Sequence, residues 1–68
     1  MDKTYKLIEL VGTSTDGYES AIQNAIEQAS KSLKALGWFE VIQLRGGIMD
    51  GKVSEYQAII KVGFKLVD

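Results

Sequence analysis

The fold is decided by one segment, residues 53–66, which read VSEYQAIIKVGFKL. Side chains alternate between the two faces of a β-strand, so residues two apart share a face. One face of this predicted strand is almost wholly apolar and carries Tyr56, Ala58, Ile60, Val62, Phe64 and Leu66. The other face is mixed and carries Glu55, Gln57, Ile59, Lys61, Gly63 and Lys65. The apolar face is therefore the side on which a helix is expected to pack.

A helix able to cover that face is predicted over residues 18–36. Apolar residues recur there at spacings of three and four, which is typical of an amphipathic helix of about five turns. The start is marked by Asp16 with Glu19, at the spacing of a capping box, or alternatively by Ser14 or Thr15. The apolar stripe consists of Tyr18, Ile22, Ala25, Ile26, Ala29, Leu33 and Leu36.

Two further strands are predicted, one on each side of the helix in the chain. Residues 4–12 (TYKLIELVG) and 38–45 (WFEVIQLR) are short and rich in apolar side chains. Gly37 is the expected end of the helix. The glycines at 46–47 are interpreted as turn residues, and the Asp-Gly pair at 50–51 is typical of a β-hairpin. The chain is predicted to be α+β with the order β-α-β-β: a three-stranded antiparallel sheet on one long helix.

One helix can cover only one face of such a sheet, so the other face is expected to be open. If Phe39 and Val41 face the helix, regular alternation assigns the neighbouring apolar residues to the open face. The side chains expected there are Trp38, Ile42, Leu44, Gln57 and Ile59. A patch this apolar is unfavourable in water. It is expected to contact another subunit or a flat ligand.

The length of the chain leads to the same expectation. Sixty-eight residues form a single domain, here residues 1–68, that buries only about 60% of its unfolded surface. The sequence has no Cys and no His, so neither a disulfide nor a Cys/His metal site is predicted. Oligomerisation is the remaining route to stability.

Charge and hydropathy exclude several classes of partner. The formal net charge is −1, whereas nucleic acid and anionic membranes select basic surfaces. No apolar run approaches 18 residues, and the N-terminal residues 1–4 have no signal-peptide character. We expect a cytoplasmic protein that binds neither nucleic acid nor membrane.

Few residues could carry out catalysis. The candidates for an acid-base pair are Glu9, Glu40 and Glu55 on the strands. Solvated strand carboxylates are far commoner than catalytic ones, so no catalytic site is predicted and the protein is not expected to be an enzyme.

Trp38 is the residue with the most to explain. A single Trp in a small domain is most often a core or interface anchor. The alternative is a platform on which a planar ring stacks, with the Gln57 amide binding the polar edge of the ring, since an amide both donates and accepts. Arg45, the only arginine, is either a solvated strand end or a contact to a ligand carbonyl or phosphate. Both interpretations remain open from the residues alone.

The whole chain, from about residue 3 to its end, resembles the dodecins, small flavin-binding proteins of bacteria and archaea. The resemblance depends on a set of short motifs. None of them is specific by itself, but their combined order and spacing are specific. The matching features are Tyr5, Val11-Gly12-Thr13-Ser14, Ala21-Ile22, Trp38-Phe39-Glu40-Val41, Arg45-Gly46, Tyr56-Gln57 and Lys61-Val62-Gly63-Phe64-Lys65-Leu66.

The resemblance implies a hollow homododecamer of β-α-β-β subunits with the helices outside. It implies flavin pockets between subunits, where two flavins stack between two symmetry-related Trp38 side chains. Gln57 matches the residue that binds the pyrimidine edge of the flavin, and Arg45 matches an arginine near the ligand. FMN is the expected flavin, with riboflavin or FAD as alternatives, and the implied role is flavin storage and protection from light.

Two further points follow from the resemblance. Some bacterial dodecins also bind coenzyme A, which is a candidate second ligand here without assigned residues. The chain departs from several bacterial members at Gly47, where they carry a bulkier residue, often His. That difference alters the loop expected beside the pocket.

Overall fold

The computed structural model describes residues 2–66. Within that range the elements follow the order β-α-β-β. They are β1 (Tyr5–Ser14), α1 (Tyr18–Ser30), β2 (Leu36–Met49) and β3 (Lys52–Lys65). The three strands form one antiparallel sheet in the order β1-β3-β2. The predicted fold class is confirmed, and the strand predicted over residues 53–66 corresponds to the central strand β3.

The core lies between α1 and the central strand. Ala58, Ile60 and Val62 of β3 are buried and pack with Ala21 and Ala25 of α1. This confirms the predicted helix-facing side of β3. The helix packs mainly on β1 and β3, so most of the same side of β2 is left uncovered.

Small residues bring the helix close to the sheet. The buried helix positions are Ala21, Ala25 and Ala29, whereas the predicted Ile22 and Ile26 are only partly buried. Gly12 lies opposite, and a Cβ there would collide with the Ala21 carbonyl oxygen. The close approach of α1 to β1 therefore requires glycine at this position.

The predicted C-terminal end of the helix is wrong. The helix has 13 residues and ends at Ser30, not at Leu36, and Gly37 does not cap it. Ala35 takes a positive φ of 61°, and its carbonyl accepts a hydrogen bond from the Lys65 amide. Leu36 then pairs with Phe64 as the first residue of β2. Pairing with the sheet overrides the helical periodicity of the last turns.

The predicted side-chain caps are also absent at the start of the helix. Gly17 is the N-cap residue, and no side chain caps the helix there. The Ser14 hydroxyl instead accepts a hydrogen bond from the Asp16 amide at 2.9 Å. The polar side chain thus stabilises the turn before the helix rather than the helix itself.

The hairpin between β2 and β3 is confirmed at its tip and is longer than predicted. Asp50 and Gly51 have φ values of 52° and 75°, as a two-residue hairpin turn requires. The glycines at 46–47 are not turn residues, because β2 continues through them to Met49. This hairpin extends the molecule to 54 × 20 × 13 Å.

A bulge in β2 changes which side chains share a face. Val41 pairs with Ile60 and Gln43 with Ile59, so Ile42 is an extra residue in β2. From there the alternation shifts by one position. Leu44 pairs with Ala58 and lies on the helix side of the sheet, contrary to the predicted assignment to the open face.

Candidate functional site

Trp38 forms an exposed aromatic surface on the open face of the sheet. It pairs with Gly63 of β3, and a Cβ on Gly63 would collide with the six-membered part of the indole ring. The ring therefore lies directly against the backbone of β3. The Tyr5 ring meets Trp38 edge-on, with centroids 5.0 Å apart and planes at 67°.

The Trp38 ring is fixed by its neighbours and is still partly exposed to solvent. Gly63 and Tyr5 are neighbours that fix the ring, yet 45% of Trp38 remains exposed. Offset stacking of another ring on such a surface is favourable because of both buried area and the ring quadrupole. The geometry suits an aromatic ligand or an aromatic side chain of another chain.

The second part of the site is a chain of hydrogen bonds between β2 and β3. Arg45 Nε donates to Gln57 Oε1 at 2.7 Å. Gln57 Nε2 in turn donates to Glu55 Oε1 at 2.7 Å. Arg45 is exposed, whereas Gln57 and Glu55 are half-buried. The structure thus brings together two of the three predicted site residues, Arg45 and Gln57.

The bulge at Ile42 is what makes this contact possible. With regular alternation, Trp38 and Arg45 would point to opposite faces of β2, because they are seven residues apart. The extra residue places Arg45 on the same face as Trp38, and Arg45 pairs directly with Gln57. Trp38, Arg45 and Gln57 therefore share the open face of the sheet.

Trp38 and Gln57 do not meet within one chain. Trp38 pairs with Gly63, six residues along β3 from Gln57, which is about 20 Å at 3.3 Å per residue. The isoalloxazine ring that the resemblance implies is much shorter than that distance. A ring stacked on Trp38 can reach a Gln57 amide only if a second copy of the chain supplies it.

A cavity on the helix side of the sheet borders the strand segment that contains Trp38. It has a volume of about 160 Å³ and lies between the helix and the start of β2. The lining is apolar and consists of Ile26, Leu36, Gly37, Trp38, Phe39 and Val62. Neither Arg45 nor Gln57 borders it, so this cavity is not part of the polar half of the candidate site.

Gly47, where the chain departs from several relatives, lies beside this hydrogen-bond chain. It pairs with Glu55 across the hairpin. A Cβ on Gly47 would lie 3.9 Å from Glu55 Cβ and 2.9 Å from Ser54 Oγ. The glycine thus leaves the space next to Glu55 open.

Three further residues contribute to this site and were not predicted to do so: Tyr5, Gly63 and Glu55. For Gly63 a signal was present, since glycine within an apolar strand often marks the close approach of another group. For Glu55 the signal was its spacing of two from Gln57, which puts both side chains on one face. The contact between Tyr5 and Trp38 joins two edge strands across β3 and had no local signal.

Within residues 2–66, no group of three or more His, Cys, Asp or Glu side chains could hold a metal ion. None of the helices in the described part of the chain is long and apolar enough to span a membrane.

The fold and the exposed Trp38 place the chain in a class of small α+β proteins with an aromatic surface on the open face of the sheet. The sequence pattern of the Dodecin family matches residues 4–67. A dodecin from Thermus thermophilus is 53% identical over 66 residues, which is 97% of this chain and 96% of the relative. The chain belongs to the dodecin family, and it is a small flavin-binding protein of the dodecin type.

Solved structures agree with this assignment. Dodecin from Streptomyces coelicolor is 48% identical, with a TM-score of 0.96 over 98% of this chain and 96% of its own. A tryptophan-to-phenylalanine variant of Thermus thermophilus dodecin is 49% identical, with a TM-score of 0.95 over 98% of this chain and all of its own. That variant keeps the dodecin fold.

Proposed function

We propose that this protein binds FMN, stores it and protects it from light, as a cytoplasmic homododecamer that catalyses no reaction. The observation that carries the proposal is Trp38, which is held by Gly63 and Tyr5 with an exposed ring surface. A stacked flavin would cover that surface. Electron transfer from the indole to the excited flavin would then quench it before it causes photochemical damage.

The polar residues on the same face are proposed to bind the rest of the flavin. Gln57 would hold the pyrimidine edge, because an amide can donate to one ring atom and accept from the next. Arg45 would contribute positive charge near a flavin carbonyl or the phosphate. Stacking adds only about 0.5–1.5 kcal/mol beyond the buried area, so tight binding also needs these hydrogen bonds.

The shape of the single chain supports self-assembly. Its radius of gyration is 14.0 Å, whereas a compact chain of this length has about 11 Å. Its accessible surface is 5139 Å², against about 4,200 Å² for a monomer of this mass. The apolar side chains that remain exposed on β2 include Phe39, Val41, Ile42, Leu44, Ile48 and Met49.

Riboflavin and FAD share the isoalloxazine ring and are alternative ligands of the same site. Coenzyme A is a candidate second ligand, to which we assign no residues. The competing function is an interaction module, in which Trp38 only anchors a subunit interface. That alternative is favoured by the exposed apolar side chains of β2, which would suit an interface without any ligand.

A fluorescence titration tests the proposal. Adding the purified protein to FMN should quench the flavin emission and saturate near one flavin per chain. The native mass of the protein should be about 90 kDa, twelve times the 7.5 kDa chain.

The Gln57→Ala variant should bind FMN about tenfold more weakly, because the hydrogen bonds to the pyrimidine edge are lost. The control is Ser30→Ala on the exposed end of the helix, which should leave FMN binding unchanged.

Two results would contradict this account. Well-folded oligomer that leaves FMN emission unchanged would favour the interaction module. Unchanged affinity of the Gln57→Ala variant would remove Gln57 from the flavin site.

A further inference from the structure

The side-chain amide of Gln57 is held at both ends by groups of opposite character. Its Oε1 accepts from Arg45 Nε, and its Nε2 donates to Glu55 Oε1, both at 2.7 Å. A guanidinium can only donate hydrogen bonds, and a carboxylate can only accept them. Only one orientation of the amide satisfies both neighbours.

The opposite orientation is strongly disfavoured. Rotating the amide by 180° would turn its NH₂ group toward the Arg45 donor and its oxygen toward the Glu55 carboxylate. Each of these two contacts would replace a charge-assisted hydrogen bond by a repulsion. Arg45 and Glu55 together therefore fix which end of Gln57 is the acceptor.

After these two bonds are made, Gln57 still has one donor and one acceptor available. An amide oxygen has two lone pairs and an NH₂ group has two hydrogens. One of each remains for a ligand, in a fixed order along the sheet. This pattern is complementary to a ring edge on which an N–H lies beside a carbonyl, as in the imide edge of an isoalloxazine.

We propose that Glu55 is a positioning residue that fixes the Gln57 amide and so makes the site selective for planar rings with adjacent N–H and C=O groups. The inference rests on the proposed flavin function and adds the residue that sets its selectivity. Glu55 acts through Gln57 and does not itself contact the ring.

The local structure gives Glu55 the room and the direction for this role. Glu55 and Gln57 are two residues apart in β3, so their side chains lie on the same face. The cross-strand partner of Glu55 is Gly47, which has no side chain to compete for the space. Glu55 is half-buried, so water competes only in part for its hydrogen bond.

The test is a mutant cycle measured with riboflavin. Glu55→Ala should weaken riboflavin binding by about three- to tenfold, the usual effect of losing one hydrogen bond. Glu55→Gln keeps an acceptor oxygen and should recover at least half of the lost binding free energy. The control is Glu19→Gln, which removes the same charge from the exposed start of the helix and should leave affinity within about twofold.

A positioning role requires that the effect of Glu55 depend on Gln57. In a Gln57→Ala background, Glu55→Ala should have no further effect beyond about twofold, since interacting residues are not additive. An equal loss in both backgrounds would overturn the proposal, because Glu55 would then act through the fold or through charge alone.

The second arm of the test uses N3-methylriboflavin, which lacks the ring N–H. The Glu55→Ala variant should bind this analogue with an affinity within about twofold of that of the wild-type protein. The reason is that the analogue has no N–H to donate to the Gln57 oxygen that Glu55 orients. A fall as large as that for riboflavin would overturn the selectivity role.

The proposed function and the role of Glu55 would be overturned by different results. Wild-type protein that binds no flavin would overturn both the proposed function and this inference. Normal flavin binding that weakens in Gln57→Ala but not in Glu55→Ala would overturn only the inference.

Discussion

At the scale of single residues, the tryptophan surface depends on a residue that has no side chain. Gly63 allows the indole of Trp38 to lie on the backbone of β3, and Tyr5 supports the ring edge. The sequence singled out Trp38 through its rarity and its strand position. Glycine within the apolar strand was a general signal of a close approach at Gly63, whereas the contact with Tyr5 could not be predicted, because it depends on the cross-strand register.

Gly63→Ala tests this support. The added methyl group would collide with the indole, so the ring must tilt or shift, and FMN affinity should fall by about tenfold or more, the equivalent of about 1.4 kcal/mol. Overpacking of this kind also costs about 1–3 kcal/mol of stability. Fluorescence titration and thermal denaturation measure the two effects.

Gly37→Ala is the matched control for that variant. A Cβ there meets the Gly63 carbonyl oxygen only at 3.6 Å, an ordinary contact. The contradicting result concerns Gly63→Ala. If that variant kept its FMN affinity within about twofold of wild type, the indole of Trp38 would not need to lie on the backbone of β3.

At the scale of secondary-structure elements, the order of the strands and the helix along the chain was predictable, whereas the ends of α1 and β2 were not. The apolar alternation of β3 and the Asp-Gly turn at 50–51 are local signals, and both predictions are confirmed. The end of α1 was predicted too late, because pairing of Leu36 with Phe64 competes with the helix.

The bulge at Ile42 likewise could not be predicted, and it changes the faces to which the side chains of β2 point. Strict alternation put Leu44 on the open face and Arg45 on the helix side. The extra residue reverses both, and nothing in the local sequence marks it. A site that combines Trp38 with Arg45 on one face therefore could not be derived from periodicity alone.

Gly12→Ala tests the packing of the helix on the sheet. The new Cβ would collide with the Ala21 carbonyl and lie 2.9 Å from Ala25 Cβ, so the helix must move outward. We expect a loss of about 1–3 kcal/mol in the free energy of unfolding. Denaturant titration at a fixed protein concentration measures it, since the stability of an oligomer depends on concentration.

Gly17→Ala provides the comparison, because a Cβ at Gly17 meets nothing within 4 Å. Its cost should stay below about 1 kcal/mol. Equal costs for the Gly12 and Gly17 variants would contradict the close approach of helix and strand.

At the scale of the whole molecule, a single chain holds the parts of the site without assembling them. Trp38 and Gln57 lie about 20 Å apart along the sheet, and the elongated hairpin leaves apolar side chains exposed. The site that we propose needs at least two copies of the chain.

Mixed assemblies test this division of the site. Equal amounts of Trp38→Ala and Gln57→Ala chains, unfolded and reassembled together, should regain roughly a quarter of the wild-type flavin sites by random mixing. Each regained site combines an intact Trp38 from one chain with an intact Gln57 from another. Each variant reassembled alone is the control. A mixture that binds no more FMN than these controls would show that both residues come from the same chain.

The most direct test of the central claim is an FMN titration of the wild-type protein beside its Trp38→Ala variant. We predict saturating quenching by the wild-type protein. The variant should bind at least about thirtyfold more weakly, since truncating an aromatic anchor costs about 2 kcal/mol or more, while its native mass is unchanged. Wild-type affinity in a folded Trp38→Ala oligomer would contradict stacking on Trp38 and with it the proposed flavin site.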